Sequence, residues 1–266
     1  MNPDQLKNLT PSEWHEIALN LSVKCQEQSG EKPETQPRDI IRSALGIIHH
    51  DALIQHRAIK VVVLEGWSSA GIGIVRTSLD LLVSAYAILN SSDLYLSAFR
   101  YFFSSHRALS RDQSNDSEFR SWHRKDLADR IAQLPEKDRE PAKNFLKEPD
   151  RSYWFAPEWP NPSAVLEKHG LPGYDSVYRQ FSAGAHGGFL GLRVFRDESD
   201  EININPRLPV GYKGFAVMIA STRIIFELCR LRIDHENLGL TRECYVLTKQ
   251  FNAWGRKRRG GSDTSA

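Results

Sequence analysis

Between Arg38 and Gly66 the apolar residues Ile40, Ile41, Ala44, Leu45, Ile48, Ala52 and Ile59 recur at steps of three, four and seven. Only an α-helix, with about 3.6 residues per turn, gathers such positions onto one stripe; a strand would need strict alternation. The same spacing returns along the chain. Trp14, Ile17, Ala18, Leu21 and Cys25 mark a first helix, and Trp67 to Asn90 a third. Leu94, Leu96, Ala98, Phe99, Phe102 and Phe103 mark a fourth over Asp93 to Leu109. Helices are also expected over Glu118–Leu134, Glu140–Leu146, Ser163–His169, Tyr174–His186, Gly211–Leu231 and Thr241–Trp254. Amphipathic helices in this number bury their stripes against one another. The fold class expected is all-α, a multi-helix bundle.

The breaks between stripes carry their own chemistry. Thr10-Pro11-Ser12-Glu13 reads as a capping box: Thr10 caps the first amides, Pro11 suits the first turn, and Glu13 reaches back. Asn90-Ser91-Ser92-Asp93 ends one helix and caps the next, and Gly66 stops the one before. Two regions depart from helix. Tyr153 to Pro162 is aromatic and proline-rich, so it is expected to be extended and pinned by its rings. Leu192–Arg196 and Glu201–Asn205 flank a polar turn and predict a small β-hairpin. One helical domain is expected over residues 1–254, with the N-terminal helix 10–28 peripheral, followed by a disordered basic tail over 255–266.

A chain of 266 residues buries about three quarters of its unfolded surface and needs no disulfide or metal to hold it. Cys25, Cys229 and Cys244 are three and scattered, which reads as buried thiols in a reducing, cytoplasmic setting. The start, MNPDQLKNLTPSEW, lacks a basic end followed by an apolar run, so no signal peptide is expected. The most apolar stretch, Ala70 to Leu89, is interrupted by Arg76 and Asp80 and reads as a core helix rather than a membrane span. A net charge of +2 does not mark the whole chain as a polyanion binder, so any such role rests on local clustering.

Four candidate clusters follow. Tyr178, Ser182 and His186 step by four along one helix, and Arg179 lies seven before His186, so all four share a stripe that ends at Gly187-Gly188. Such a stripe serves either as a buried polar network or as a site where Arg179 holds a phosphate, His186 moves a proton, and Tyr178 or Ser182 assists. Arg76 and Asp80, at i and i+4 in an apolar helix, are expected to pair, as support for a polar core or as a second wall of that site. Arg100 and His106 repeat the Arg-then-His order on what reads as exposed helix surface. Arg256, Lys257, Arg258 and Arg259 form a basic run, read as a solvated tail or as a nucleic-acid contact. His49, His50 and His56 lack the partner spacing of a helical metal pair, and no glycine-rich phosphate loop or paired-cysteine pattern occurs, so no metal or cofactor is expected.

Two of these pieces together resemble an uncharacterised, mostly prokaryotic family of helical proteins catalogued as a domain of unknown function. They are the helix Val75-Arg76-Thr77-Ser78-Leu79-Asp80-Leu81-Leu82 and the later Tyr178-Arg179, Ser182, His186-Gly187 helix, within about residues 40 to 235. Asp80 stands where that pattern has Glu. The order of Arg179 and His186 is also similar to the HEPN domains, helical RNA-cleaving proteins that often act as dimers. That likeness implies metal-free RNA cleavage in stress or phage defence, with His186 as acid or base and Arg179 steadying the phosphate. Candidate partners are therefore RNA, a second copy of the chain, or another protein. The competing reading is a non-catalytic module that binds a protein or nucleic acid, its Arg/His stripe structural.

Overall fold

Thr10 starts the first long helix as its sequence predicts. The computed structural model describes residues 5–30, 40–134, 136–148, 159–169 and 212–260. The Thr10 amide donates to Glu13 Oε2 at 2.7 Å, and the Glu13 amide donates back to Thr10 Oγ1 at 3.2 Å. The Thr10 amide and hydroxyl, both donating to the Glu13 carboxylate, hold it below its usual range. Among the described residues there are nine α-helices and no strand. They are α1 (Pro11–Gly30), α2 (Ile40–Leu64), α3 (Ser68–Leu89), α4 (Leu94–Arg111), α5 (Ser117–Ala132), α6 (Glu136–Lys147), α7 (Pro162–Lys168), α8 (Tyr212–Glu236) and α9 (Thr241–Gly260). The all-α expectation is borne out. The predicted hairpin, the Tyr174–His186 helix and most of the aromatic segment lie outside the described residues.

The chain divides into two compact units. One comprises Met1–Gln36, Leu45–Leu82 and Leu171–Ala266. Its core is built around Trp14 of α1, which is fully buried. Phe226, Phe251 and Trp254 surround the indole with ring centroids 5.3 to 6.3 Å away, and the Trp254 Nε1–H donates to the Leu9 carbonyl at 2.7 Å. Ile48, Ile59, Leu79, Leu82 and Met218 are buried in the same unit. A fully buried side chain of this size contributes about 1.5–3 kcal/mol. At Gly71 a Cβ would lie 2.9 Å from Val217 Cγ1, so glycine is what lets α3 and α8 approach so closely there.

The second unit comprises Pro37–Ala44 and Val83–Gly170. Asp93 caps α4 through the Leu96 amide at 2.9 Å, Asp116 caps α5 through Phe119 at 2.7 Å, and Asn161 caps α7 through Ala164 at 2.9 Å. Phe99, Ile131, Ala142 and Phe145 form its apolar centre. Arg100, read from sequence as exposed surface, is buried. The reason is that one side of α4 is a row of arginines that closes the end of α6. Arg100 pairs with Glu148 at 2.5 Å, Arg107 donates to the Phe145 carbonyl at 2.8 Å, and Arg111 donates to the carbonyls of Leu146 and Glu148. Guanidinium groups thus satisfy carbonyls at the negative end of a helix. Trp159, from the aromatic segment, is buried beside His169, with Lys168 4.9 Å over its ring.

Ala70–Leu89 is long and apolar enough to cross a membrane, and 61% of it is buried within the fold. That burial, with Arg76 and Asp80 along it, matches the core helix expected from the sequence.

Candidate nucleic-acid interface

Helices α8 and α9 run as a pair joined by a tight turn. Asn237 and Gly239 hold positive φ of 51° and 74°, which reverses the chain within a few residues. The inner stripes of the pair carry Phe226, Ile233, Phe251 and Trp254 into the core. The outer stripes are polar and enclose a groove of about 670 Å³. From α8 come Arg223 and Arg230, seven residues apart; from α9 come Lys249 and Arg256, again seven apart. Seven residues are two helical turns, roughly 10 Å along the axis, so the cations stand in two rungs on each helix. Tyr245, Thr248 and Asn252 fill the α9 stripe between them, and among the described residues Asp234 is the one carboxylate in the lining.

The two helices hold their cations differently. Arg223 donates to Asn252 Oδ1 at 3.2 Å, and Arg230 is clamped by Glu227 at 2.6 Å and Asp234 at 3.5 Å. These bonds fix the position of the α8 guanidinium groups. Lys249 and Arg256 form no ion pair among the described residues, and Lys249 rests 5.9 Å over the Tyr245 ring. The groove therefore combines two braced cations with two available ones, against two acids, Asp234 in its lining and Glu227 on Arg230. That charge pattern suits a polyanion.

Arg256 was flagged by the sequence as a nucleic-acid contact, and here it lines the groove. The expected disordered tail needs correction at its start: α9 continues through Gly260, so Arg256, Lys257, Arg258 and Arg259 belong to the end of a helix. Long unbranched side chains favour helix, and positive charge is favourable at a helix C-terminus. Arg223, Arg230 and Lys249 were missed by sequence reasoning. The signal was available as two seven-residue Arg/Lys spacings on consecutive helices.

Arg76 and Asp80 form the expected i,i+4 ion pair. The Asp80 side chain is 45% exposed, so the pair sits at the edge of its apolar helix and not within the core. Tyr178, Arg179, Ser182 and His186 lie outside the described residues.

The other histidines fall into two clusters. Arg232 donates to His49 Nδ1 at 3.0 Å, which leaves the ring proton on Nε2 to donate to Ser22 Oγ at 2.7 Å. Arg232 also binds Glu236 at 2.5 Å, and Ser29 donates to the second Glu236 oxygen at 2.5 Å. His56 Nε2–H donates to the His15 carbonyl at 3.0 Å, so its Nδ1 accepts from Ser221 at 2.6 Å. Burial, aided by Arg232 and His50, pushes the His49 pKa down to about 3, and burial beside His15 does the same to His56. Burial, with Lys60 nearby, lowers His15 to about 4. These rings are neutral packing elements. A less enclosed cluster is on α4 and α5, where Nδ1 of the partly buried His106 lies 3.2 Å from Nδ1 of the buried His123 and 3.4 Å from Asp126 Oδ2. Arg100 is turned away from His106 to the α6 side, so that Arg/His pair does not assemble.

No curated protein and no solved structure matches this chain. The family model described as a family of unknown function, DUF5677, matches residues 44–203. That span holds Arg76, Asp80 and the segment Tyr178 to His186, the pieces on which the sequence resemblance rested; it ends before α8 and α9. Nothing among the matches points to the HEPN domains. The match covers more than half of the sequence, and the chain belongs to the DUF5677 family of unknown function.

Proposed function

We propose that this protein binds nucleic acid, RNA foremost, through the groove between α8 and α9. The observation that carries the reading is the set of four cations, Arg223, Arg230, Lys249 and Arg256, facing one lining carboxylate in a groove of about 670 Å³. A chain of net charge +2 spends its excess cations locally here. Phosphates meeting Lys249 and Arg256 would release condensed counterions, which gives binding its driving force and its salt dependence.

A catalytic extension rests on the sequence stripe. RNA bound by the protein would be cleaved without metal: the 2′-hydroxyl attacks the adjacent phosphate, His186 transfers protons, and Arg179 stabilises the developing charge, with Tyr178 or Ser182 assisting. In this extension the protein is a cytoplasmic defence ribonuclease, and two copies place two stripes around one strand. The binding reading stands without it, since a non-catalytic module uses the same groove.

The test is fluorescence anisotropy with a labelled RNA over a salt series. Lys249→Ala and Arg256→Ala should each weaken binding and reduce the slope of log K against log salt by about 1. Wild-type affinity in both variants, or no salt dependence, would refute the interface. Incubation of the same RNA with chelator then separates the extension: cleavage by wild type that persists equally in His186→Ala and Arg179→Ala sinks the catalytic assignment and leaves binding intact.

A further inference from the structure

We infer that the groove selects single-stranded over double-stranded nucleic acid, and that Tyr245 is the residue that does so by stacking on an unpaired base. The inference rests on the proposed function, whose groove it refines.

Tyr245 is 64% exposed, the highest value of any large apolar or aromatic side chain among the described residues, shared with Val61. It nevertheless lines the groove. Among the described residues its hydroxyl makes no hydrogen bond, and its ring meets only the Lys249 ammonium 5.9 Å away. A tyrosine this exposed contributes little to stability, because most of its apolar face stays in water. Its position is informative. Tyr245 and Lys249 are one turn apart on α9, and Arg256 lies two turns further along the same helix, so a flat ring stands in line with two available cations. Single strands are bound by this combination without base-specific contacts: cations follow the phosphates, and an aromatic face takes a base.

The geometry discriminates by what each ligand can offer. Bases in a duplex are already stacked on both faces and present only their edges in the grooves. An unpaired base has a free face, and stacking it on an aromatic side chain is worth about 5- to 150-fold in affinity. A duplex would meet the same cations and gain nothing from Tyr245. An acidic protein segment would also meet the cations, but it has no planar face to match the ring.

The experiment compares a labelled single-stranded RNA, a single-stranded DNA of the same sequence, the corresponding duplexes and polyglutamate. Binding of both single strands should exceed that of the duplexes and of polyglutamate. Tyr245→Ala should lower single-strand affinity about 5-fold or more while leaving duplex affinity and the salt slope unchanged. Tyr245→Phe should keep wild-type behaviour, because the ring stacks and the hydroxyl does not. Equal affinity for single strand and duplex, or a single-strand affinity unaffected by Tyr245→Ala, overturns this inference and leaves the nucleic-acid reading standing. Absence of binding to every nucleic acid, or polyglutamate binding as tightly as RNA, overturns that reading itself.

Discussion

Arg230 and Arg232 are two residues apart on α8 and face opposite fates. Arg232 is buried, bonded to His49 and Glu236, and linked through them to Ser22 and Ser29. Arg230 lines the open groove, braced by Glu227 and Asp234. The helix thus uses arginine inside to connect α1, α2 and α8, and outside to build a charged surface. The lesson is that identical residue types report structure or function according to what encloses them. No buried side-chain nitrogen of Arg232 is left without a hydrogen-bond partner, as expected when losing a partner inside costs several kcal/mol. On the surface the same matching is optional, and α9 leaves Lys249 and Arg256 without an ion-pair partner among the described residues.

The largest effect that would test this contrast is on stability. Arg232→Ala should destabilise the protein by about 3–5 kcal/mol, because Glu236 and His49 remain buried without their shared donor. Urea unfolding measures it, and the pair Arg232→Met with Glu236→Gln should recover much of the loss. A loss within the noise for Arg232→Ala would mean that water replaces the guanidinium and that the interior is wetter than described.

The next effect concerns acid. In the unfolded chain His15, His49 and His56 take up protons below about pH 6.5. In the folded chain burial keeps them neutral down to about 4, 3 and 3. The unfolded state therefore binds more protons in that window, and stability falls as pH drops from about 6.5 toward 4. Each ring contributes up to about 1.4 kcal/mol per pH unit. His56→Gln should flatten the pH dependence of the unfolding free energy relative to wild type; an unchanged slope would show that the ring is reached by protons in the native state.

The smallest effect is the complement of the first. Lys249→Ala and Arg256→Ala should change stability by no more than about 0.5 kcal/mol, as surface substitutions do, while RNA affinity falls. A stability loss as large as that of Arg232→Ala would erase the distinction between the two sides of α8.

Much of the fold was legible because its signals are local. Thr10 and Glu13, Asp93 and Gly66 act within a few residues of themselves, and the 3.6-residue stripes name their buried positions directly. Arg76 and Asp80 paired as expected for the same reason: i and i+4 are neighbours on any helix. Arg100 was misread because its partner Glu148 is distant in sequence, so only tertiary packing turns an apparently exposed arginine into the closure of α6. The groove was half legible. Arg256 stood out as part of a run, but its joining with Arg223 and Arg230 required the turn at Asn237–Gly239 to fold α9 back along α8.

The sequence by itself determined that this chain is helical, where most helices begin and end, and which faces are apolar, since propensity, caps and periodicity are properties of neighbouring residues. Tertiary structure decided which polar residues are sealed inside and which line a surface. That choice depends on desolvation, and desolvation is set by what packs above a side chain, which no spacing along one helix can specify.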